Sequence, residues 1–331
     1  MSLFQKAFGL FIYLQSLFLP QKIEIKDFTP QFIIISFDGS YSLPMWQATR
    51  SLAKDLKASG AGDVRFTYFI SGVYFLSAKD KNLYQAPKQP IGLSLIGFAD
   101  DQEDINKRVE QVNLAQLEGH EIGSHVNGHF RGFPWDYDDW KKEFNLFEQF
   151  TESAGLKLKL TGFRAPNLSI NPSLFKLLSD DKFRYDASKV GKWDEWPKKE
   201  NNLYEFPLGN IPLSGTKNKI ISMDYNFFLS QSDAKDIIIK NNPLWKKYYQ
   251  QIENSYQNYF DHNYQGNRAP IIIGHHFSLW NDSLYFDALK EFALNNCVKP
   301  EVVCTNFSSL ADYLDLHPDK ISTSSSLPLS P

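Results

Sequence analysis

His125 and His129 stand four residues apart in Gly119-His120-Glu121-Ile122-Gly123-Ser124-His125-Val126-Asn127-Gly128-His129. Neutral imidazole is the commonest side-chain ligand for zinc and similar cations, and on a helical turn this spacing points both rings the same way. The pair predicts half of a divalent-cation site that needs an oxygen ligand to complete it. Other polar groups stand at the ends of short β-rich runs on either side. Asp38 ends the run 32–37, Arg164 the run 158–163, Asp186 the pair 184–185, and His275-His276 the run 271–274. Singly, each has a structural reading: an aspartate caps a helix, the arginine pairs with an acid, and a histidine sits satisfied in the core. Gathered together at one end of a fold, six such groups are hard to attribute to chance. Asp38 and Asp186 would also suit a glycosidase, but the histidines would then have no role.

The elements that must position these groups follow one repeated phrase, a short apolar run and then a stretch with helical character. Besides the runs above, 65–70 ends at Ser71, 121–123 at the histidine pair, 203–206 at Pro207 and 220–223 at Asp224, while 301–306 closes the series and 46–58 has helical spacing. Continuous apolar strands alternating with helices indicate an α/β fold with a covered parallel sheet, and this many units predict closure into a barrel. In such barrels chemistry collects at the carboxyl ends of the strands. Asp38, His125, His129, Arg164, Asp186 and His276 all fall there.

With 331 residues, 42% hydrophobic and 15% aromatic, the chain can bury one large core. A net charge of -3 lacks the basic excess that binds phosphate backbones, so nucleic acid is excluded as the expected partner and a neutral substrate fits better. Lys6 leads the apolar blocks 7–14 and 17–19, too short to span a bilayer comfortably. This predicts an export signal over about 1–22, with an amphipathic first helix packed on the domain as the alternative, and no stable membrane span in the mature protein. The barrel domain is expected over 23–318 and a mobile Ser/Pro-rich tail over 319–331. Cys297 and Cys304 pair across a short loop in an oxidising compartment, or stay buried thiols in the cytoplasm. Trp46, Trp135, Tyr137, Trp140, Trp193 and Trp196 follow strand ends, where they stack on sugar rings or pack in the core. The segment 201–262 is assigned no chemistry. Oligomeric state is not legible.

The order Ser36-Phe37-Asp38-Gly39, His125-Val126-Asn127-Gly128-His129, Arg164-Ala165-Pro166-Asn167, Tyr185-Asp186-Ala187-Ser188 and Ile273-Gly274-His275-His276 resembles the five motifs of the polysaccharide deacetylases, carbohydrate esterase family 4. It spans about residues 30–316, and Gly162-Phe163-Arg164-Ala165-Pro166 with Asn267-Arg268-Ala269-Pro270 look like the chitin-deacetylase branch. The resemblance implies a distorted (β/α) barrel of about seven parallel strands and a metal-dependent removal of acetyl groups from N-acetylglucosamine polymers, peptidoglycan or chitin-like. The implied cation is zinc, with cobalt or another divalent ion as substitutes.

By that resemblance His125 and His129 hold the metal. Asp38 is the base, Arg164 keeps it ionised, His276 is the acid, Asp186 holds its ring, and the Asn167 backbone N–H meets the oxyanion. Family members usually read Thr-Phe-Asp-Asp in the first motif, so Gly39 stands where a metal-binding aspartate is expected. Asp38 is then a base beside a weaker two-histidine site, or moves onto the metal, or belongs to an inactive sugar-binding site. The first is the favoured reading, because the other site residues are present. His275 is either a core neighbour or a further ligand filling the gap. The competing functions are a non-catalytic carbohydrate-binding protein and a metal-independent small-amide hydrolase.

Overall fold

The computed structural model describes residues 29–321. In chain order the elements are β1 (Gln31–Asp38), α1 (Leu43–Ala58), β2 (Thr67–Ile70), α2 (Gln102–Leu117), β3 (Glu121–Ser124), α3 (Tyr137–Ser153), β4 (Gly162–Phe163), α4 (Pro172–Asp180) and β5 (Tyr185–Asp186). They continue as β6 (Val190–Lys192), β7 (Lys198–Glu200), β8 (Leu203–Glu205), β9 (Leu208–Pro212), β10 (Lys219–Ile221), α5 (Asp224–Ser232), α6 (Pro243–Gln265), β11 (Ile271–His276), α7 (Trp280–Asn296), β12 (Val302–Thr305) and α8 (Phe307–Leu316). The expected export segment lies outside the described residues. So does the tail beyond Ile321, while Pro318–Lys320 forms a short 3-10 turn.

The large sheet runs β11-β1-β2-β3-β4-β5-β8-β7, parallel except for β7 on β8, with β12 also parallel to β1. The run β11 to β8 is therefore the expected curved sheet of about seven parallel strands. β1 is its hub. One edge pairs with β11 from Ile33 to Asp38, while β12 takes the other edge at 31–34 and β2 takes it at 36–38. A second sheet, β10-β9-β6, was not expected from the sequence. It hangs on the free edge of β11, where Ser222 Oγ donates to Ile272 O at 2.6 Å and Gly274 N donates to Ser222 O at 2.9 Å. Of the run 220–223, Ile220 and Ile221 belong to this small sheet, while Met223 bridges in parallel to Gly274 of β11.

Strand alternation divides the core and aims the site. Along β1, Ile33, Ile35 and Phe37 pack outward with the helix-facing cluster, which includes Trp46, Leu52 and Leu56 of α1. Phe32 and Ile34 pack inward with Phe69, Tyr185, Tyr204, Ile272 and Phe307. Period two then carries Ser36 and Asp38 inward too. On β11 the same alternation sends Ile271, Ile273 and His275 outward, and Ile272 and His276 inward. β1 is buried along its whole length, the signature of a strand covered on both faces. The helices have ordinary starts: Ser42 caps α1, and Asp136 with Asp139 forms a capping box on α3. Cys297 and Cys304 are disulfide-bonded, with Cα atoms 5.7 Å apart, tying the end of α7 to β12.

Candidate active site

Asp38, at the carboxyl end of β1, is 4% exposed and accepts a 2.8 Å hydrogen bond at Oδ1 from Arg164 Nη1. Arg164 follows β4 and is fully buried. Its Nε donates to Ala187 O at 3.0 Å, its Nη1 also reaches Ser36 Oγ, and its guanidinium lies 4.5 Å from the Phe69 ring centroid. Burial opposes ionisation of Asp38, but the charge of Arg164, aided by His125, His276 and the Arg164 hydrogen bond, holds its carboxyl below the usual range. The expected Asp38–Arg164 pairing is present.

His125 and His129 converge, their ring centroids 5.2 Å apart. The segment between them is a loop and not a helical turn. Val126 has φ 44° and His129 φ 63°, so two left-handed residues, and not the helical period, bring the rings together. His125 Nδ1 bonds to Arg164 O at 2.7 Å; donation there leaves Nε2 with its lone pair. Burial pushes both rings down, His129 to about 3, so both are neutral at pH 7.

The acid side departs from expectation. His276 Nδ1 bonds to Asp224 Oδ1 at 2.7 Å, and its backbone N–H donates to Asp224 Oδ2 at 2.8 Å. Asp186 does not touch that ring. It accepts from Ser188 N and Oγ, at 3.1 and 2.6 Å. The reason is strand parity: Tyr185 packs inward, so Asp186 faces outward beside Glu205, its register partner on β8. Burial raises the Asp186 carboxyl to about 6 against its Ser188 hydrogen bonds. Burial disfavours the His276 cation, yet Asp224 outweighs it and raises the imidazole above its ordinary value. Asp224 is itself held low, because the charges and hydrogen bonds of the histidine partners outweigh its burial. Sequence reasoning placed Asp224 at the end of the run 220–223 and gave it no role. Its position at a strand end was the available signal.

His275 is the core neighbour and not a further ligand. It is buried on the outward face, 3.3 Å from Tyr256 Oη and pushed down to about 4 by burial.

The inward groups line two adjoining cavities of about 450 and 140 Å³, both bounded by Asp38, Ile96, His125, His129, His276 and Trp280. Asn167 lines the larger one, with φ 54°, and its side-chain Nδ2 donates to His129 O at 3.3 Å. Tyr41, Tyr74, Tyr225, Phe277 and Trp280 supply the aromatic wall. The six expected aromatics lie elsewhere. Trp46, Trp135, Trp140 and Trp196 are buried, Tyr137 bonds to Asp180, and Trp193 stacks on His262.

Two neutral imidazoles, one with its tautomer set, form a donor set that fits a borderline-soft divalent cation. Among the described residues no group of three or more His, Cys, Asp or Glu side chains is arranged to hold one. Gly39 has φ +90°, and a Cβ built there meets nothing within 4 Å, so the place of the expected carboxylate is open space.

No family model and no curated protein matches the chain. Solved structures do. A crystal structure assigned to a polysaccharide deacetylase of Mycobacterium smegmatis is 16% identical, with a TM-score of 0.52 over 91% of this chain and 94% of that one. Puue allantoinase is 13% identical, with a TM-score of 0.50 over 89% and 93%. The peptidoglycan deacetylase PdaC of Bacillus subtilis is 14% identical, with a TM-score of 0.47 over 88% and 95%. The fold is that of the polysaccharide deacetylases, as the five motifs led one to expect. At these identities the likeness concerns the fold alone.

Proposed function

We propose that the protein hydrolyses the N-acetyl group of N-acetylglucosamine residues in a polysaccharide, with peptidoglycan and chitin-like polymers as the substrate classes. The observation that carries this reading is the pairing of opposites around one cavity. Asp38 is held as the anion by Arg164, and His276 is held as the cation by Asp224. A pair tuned apart in this way supplies base and acid at one pH.

Asp38 takes the proton of the attacking water. The Asn167 backbone N–H is the candidate donor to the developing oxyanion, a contact typically worth ~3 kcal/mol. His276 delivers a proton to the leaving amine, and Asp224 holds the ring through Nδ1 so that Nε2 is free for the transfer. His125 and His129 would hold a divalent ion, zinc above all, which when bound polarises the amide carbonyl and makes water acidic. Tyr41 and Tyr225, each about two-fifths exposed at the cavity wall, offer faces on which sugar rings stack. The disulfide supports an oxidising location, periplasmic or secreted. Among the described residues no helix is long and apolar enough to cross a membrane.

The open space at Gly39 favours one second reading, a metal-independent amide hydrolase acting on a small substrate. Acetate release from chitin oligomers and peptidoglycan, with and without a chelator and then added zinc, separates the two. Turnover lost on chelation and restored by zinc supports the first. Chelator-resistant turnover of small amides alone supports the second, and glycan binding without turnover in either arm refutes both.

A further inference from the structure

The loop that carries both imidazoles is strained, and much of what holds it lies outside the cavity. Val126, a β-branched residue, has φ 44°, and His129 has φ 63°. Such residues persist only where the surroundings over-determine them. Two contacts are ordinary backbone bonds, Gly72 N to Val126 O at 2.7 Å and Leu95 N to Gly128 O at 2.9 Å. The His125 ring also bonds to Arg164 O, Val126 N to Ser124 Oγ, and Asn167 Nδ2 to His129 O, while three further contacts converge on Glu143. Tyr84 Oη accepts from Gly128 N at 2.9 Å and donates to Glu143 Oε1 at 2.9 Å, while Asn127 Nδ2 donates to Glu143 O at 2.8 Å. Tyr84 and Glu143 are both 0% exposed. Burial pushes the Glu143 carboxyl up to about 7, opposed by hydrogen bonds from Tyr84 and Asn127 and by the loop's N–H groups at 127 and 128. No clearance remains, since a Cβ on Gly128 would stand 2.6 Å from Tyr84 Oη.

We propose that Tyr84 and Glu143 are positioning residues of the histidine loop: the Gly128–Tyr84–Glu143 chain sets the separation and direction of His125 and His129. Neither touches substrate or metal. A buried carboxylate and phenol in an otherwise aromatic core are costly as packing, whereas as a hydrogen-bonded chain they fix one loop conformation among several. The inference rests on the proposed role of the two imidazoles as a cation site.

The test is Co(II) affinity, followed by its visible spectrum, beside thermal unfolding, in wild type, Tyr84→Phe, Glu143→Leu and Glu143→Gln. Supporting groups of this kind are typically worth about 10–100-fold in metal affinity. Tyr84→Phe and Glu143→Leu are expected to lose at least about tenfold, and Glu143→Gln, which still accepts from Tyr84, to keep most of it. Should Glu143→Leu fail to fold, Tyr84→Phe, which removes one oxygen, decides alone. Wild-type cobalt affinity in a folded Tyr84→Phe protein overturns the proposal and leaves the pair as core polarity. If wild type itself binds no cobalt, the cation reading fails. The brace is then read from the imidazole signals by NMR: Tyr84→Phe must shift those of His125 and His129 and leave His120 and His275 in place, and unshifted rings refute it.

Discussion

The two sides of the cavity solve the same electrostatic problem with opposite results. On the β1 side a buried carboxylate, the proposed base, is held by a buried arginine. On the β11 side a buried carboxylate holds the quarter-exposed imidazole, the proposed acid. Arginine cannot give up its proton, so Asp38 faces a permanent cation, whereas His276 can, so Asp224 raises the pH at which it does so. The same residue type, aspartate, thus takes the base role or the orienting role according to its partner.

The largest expected effect comes from removing the acid. His276→Ala should lower acetate release by ~10²–10⁴ and abolish the basic limb of the pH–rate profile, since loss of activity at high pH reports deprotonation of that ring. A surviving basic limb would assign the acid elsewhere.

Arg164→Met breaks the other side and leaves Asp38 buried without its cation, at a cost of ~3–5 kcal/mol in unfolding free energy. Asp38 is depressed in the folded state, so its contribution to stability is present above the ordinary carboxylate range and is lost as pH falls through its folded pKa. The gap between wild type and variant should therefore narrow towards low pH in denaturant titrations. A gap of constant size would mean that the guanidinium acts through packing on Phe69.

Asp224→Asn sharpens the comparison, because Asp224 raises His276. The basic limb should move to lower pH and the rate above neutrality fall, because the ring without its carboxylate partner loses its proton earlier. The linkage runs the same way in stability. His276 contributes fully below its ordinary value near 6.5, and the contribution is lost as pH rises through the raised one. Gly39→Asp should tighten cobalt binding in calorimetric titration if the new carboxylate joins the imidazoles, while the φ of +90° costs ~1–2 kcal/mol of stability. The smallest effect belongs to Asp186→Asn, whose pH–rate profile should keep its basic limb where wild type has it. A shift there would return Asp186 to the acid pair.

The five motifs made the fold legible, together with Asp38, Arg164, His276 and the histidine pair, because short apolar runs ending in polar residues are a local pattern. Two things were not legible. The run 220–223 reads like any barrel strand, yet β10 pairs antiparallel with β9. Nothing in a three-residue run of β-formers states its partner. Asp224 stood at the end of that run, and nothing local linked it to His276, 52 positions on. Asp186 sits one residue after an inward tyrosine, and the two-residue strand β5 is too short to display its own parity. The histidine spacing predicted that the two rings converge, and they do, but through left-handed loop residues in place of a helical turn.

By itself, then, the amino-acid sequence determined the fold class, the strand ends where chemistry gathers and most of the groups gathered there, since these depend on residue type and near-neighbour order. Tertiary structure alone decided which side chains face the cavity, that His276 lines it while His275 packs against Tyr256, and that Asp224 and not Asp186 holds the His276 ring. Those choices rest on strand parity and on the His276–Asp224 contact, 52 positions apart in the chain, which no local pattern records.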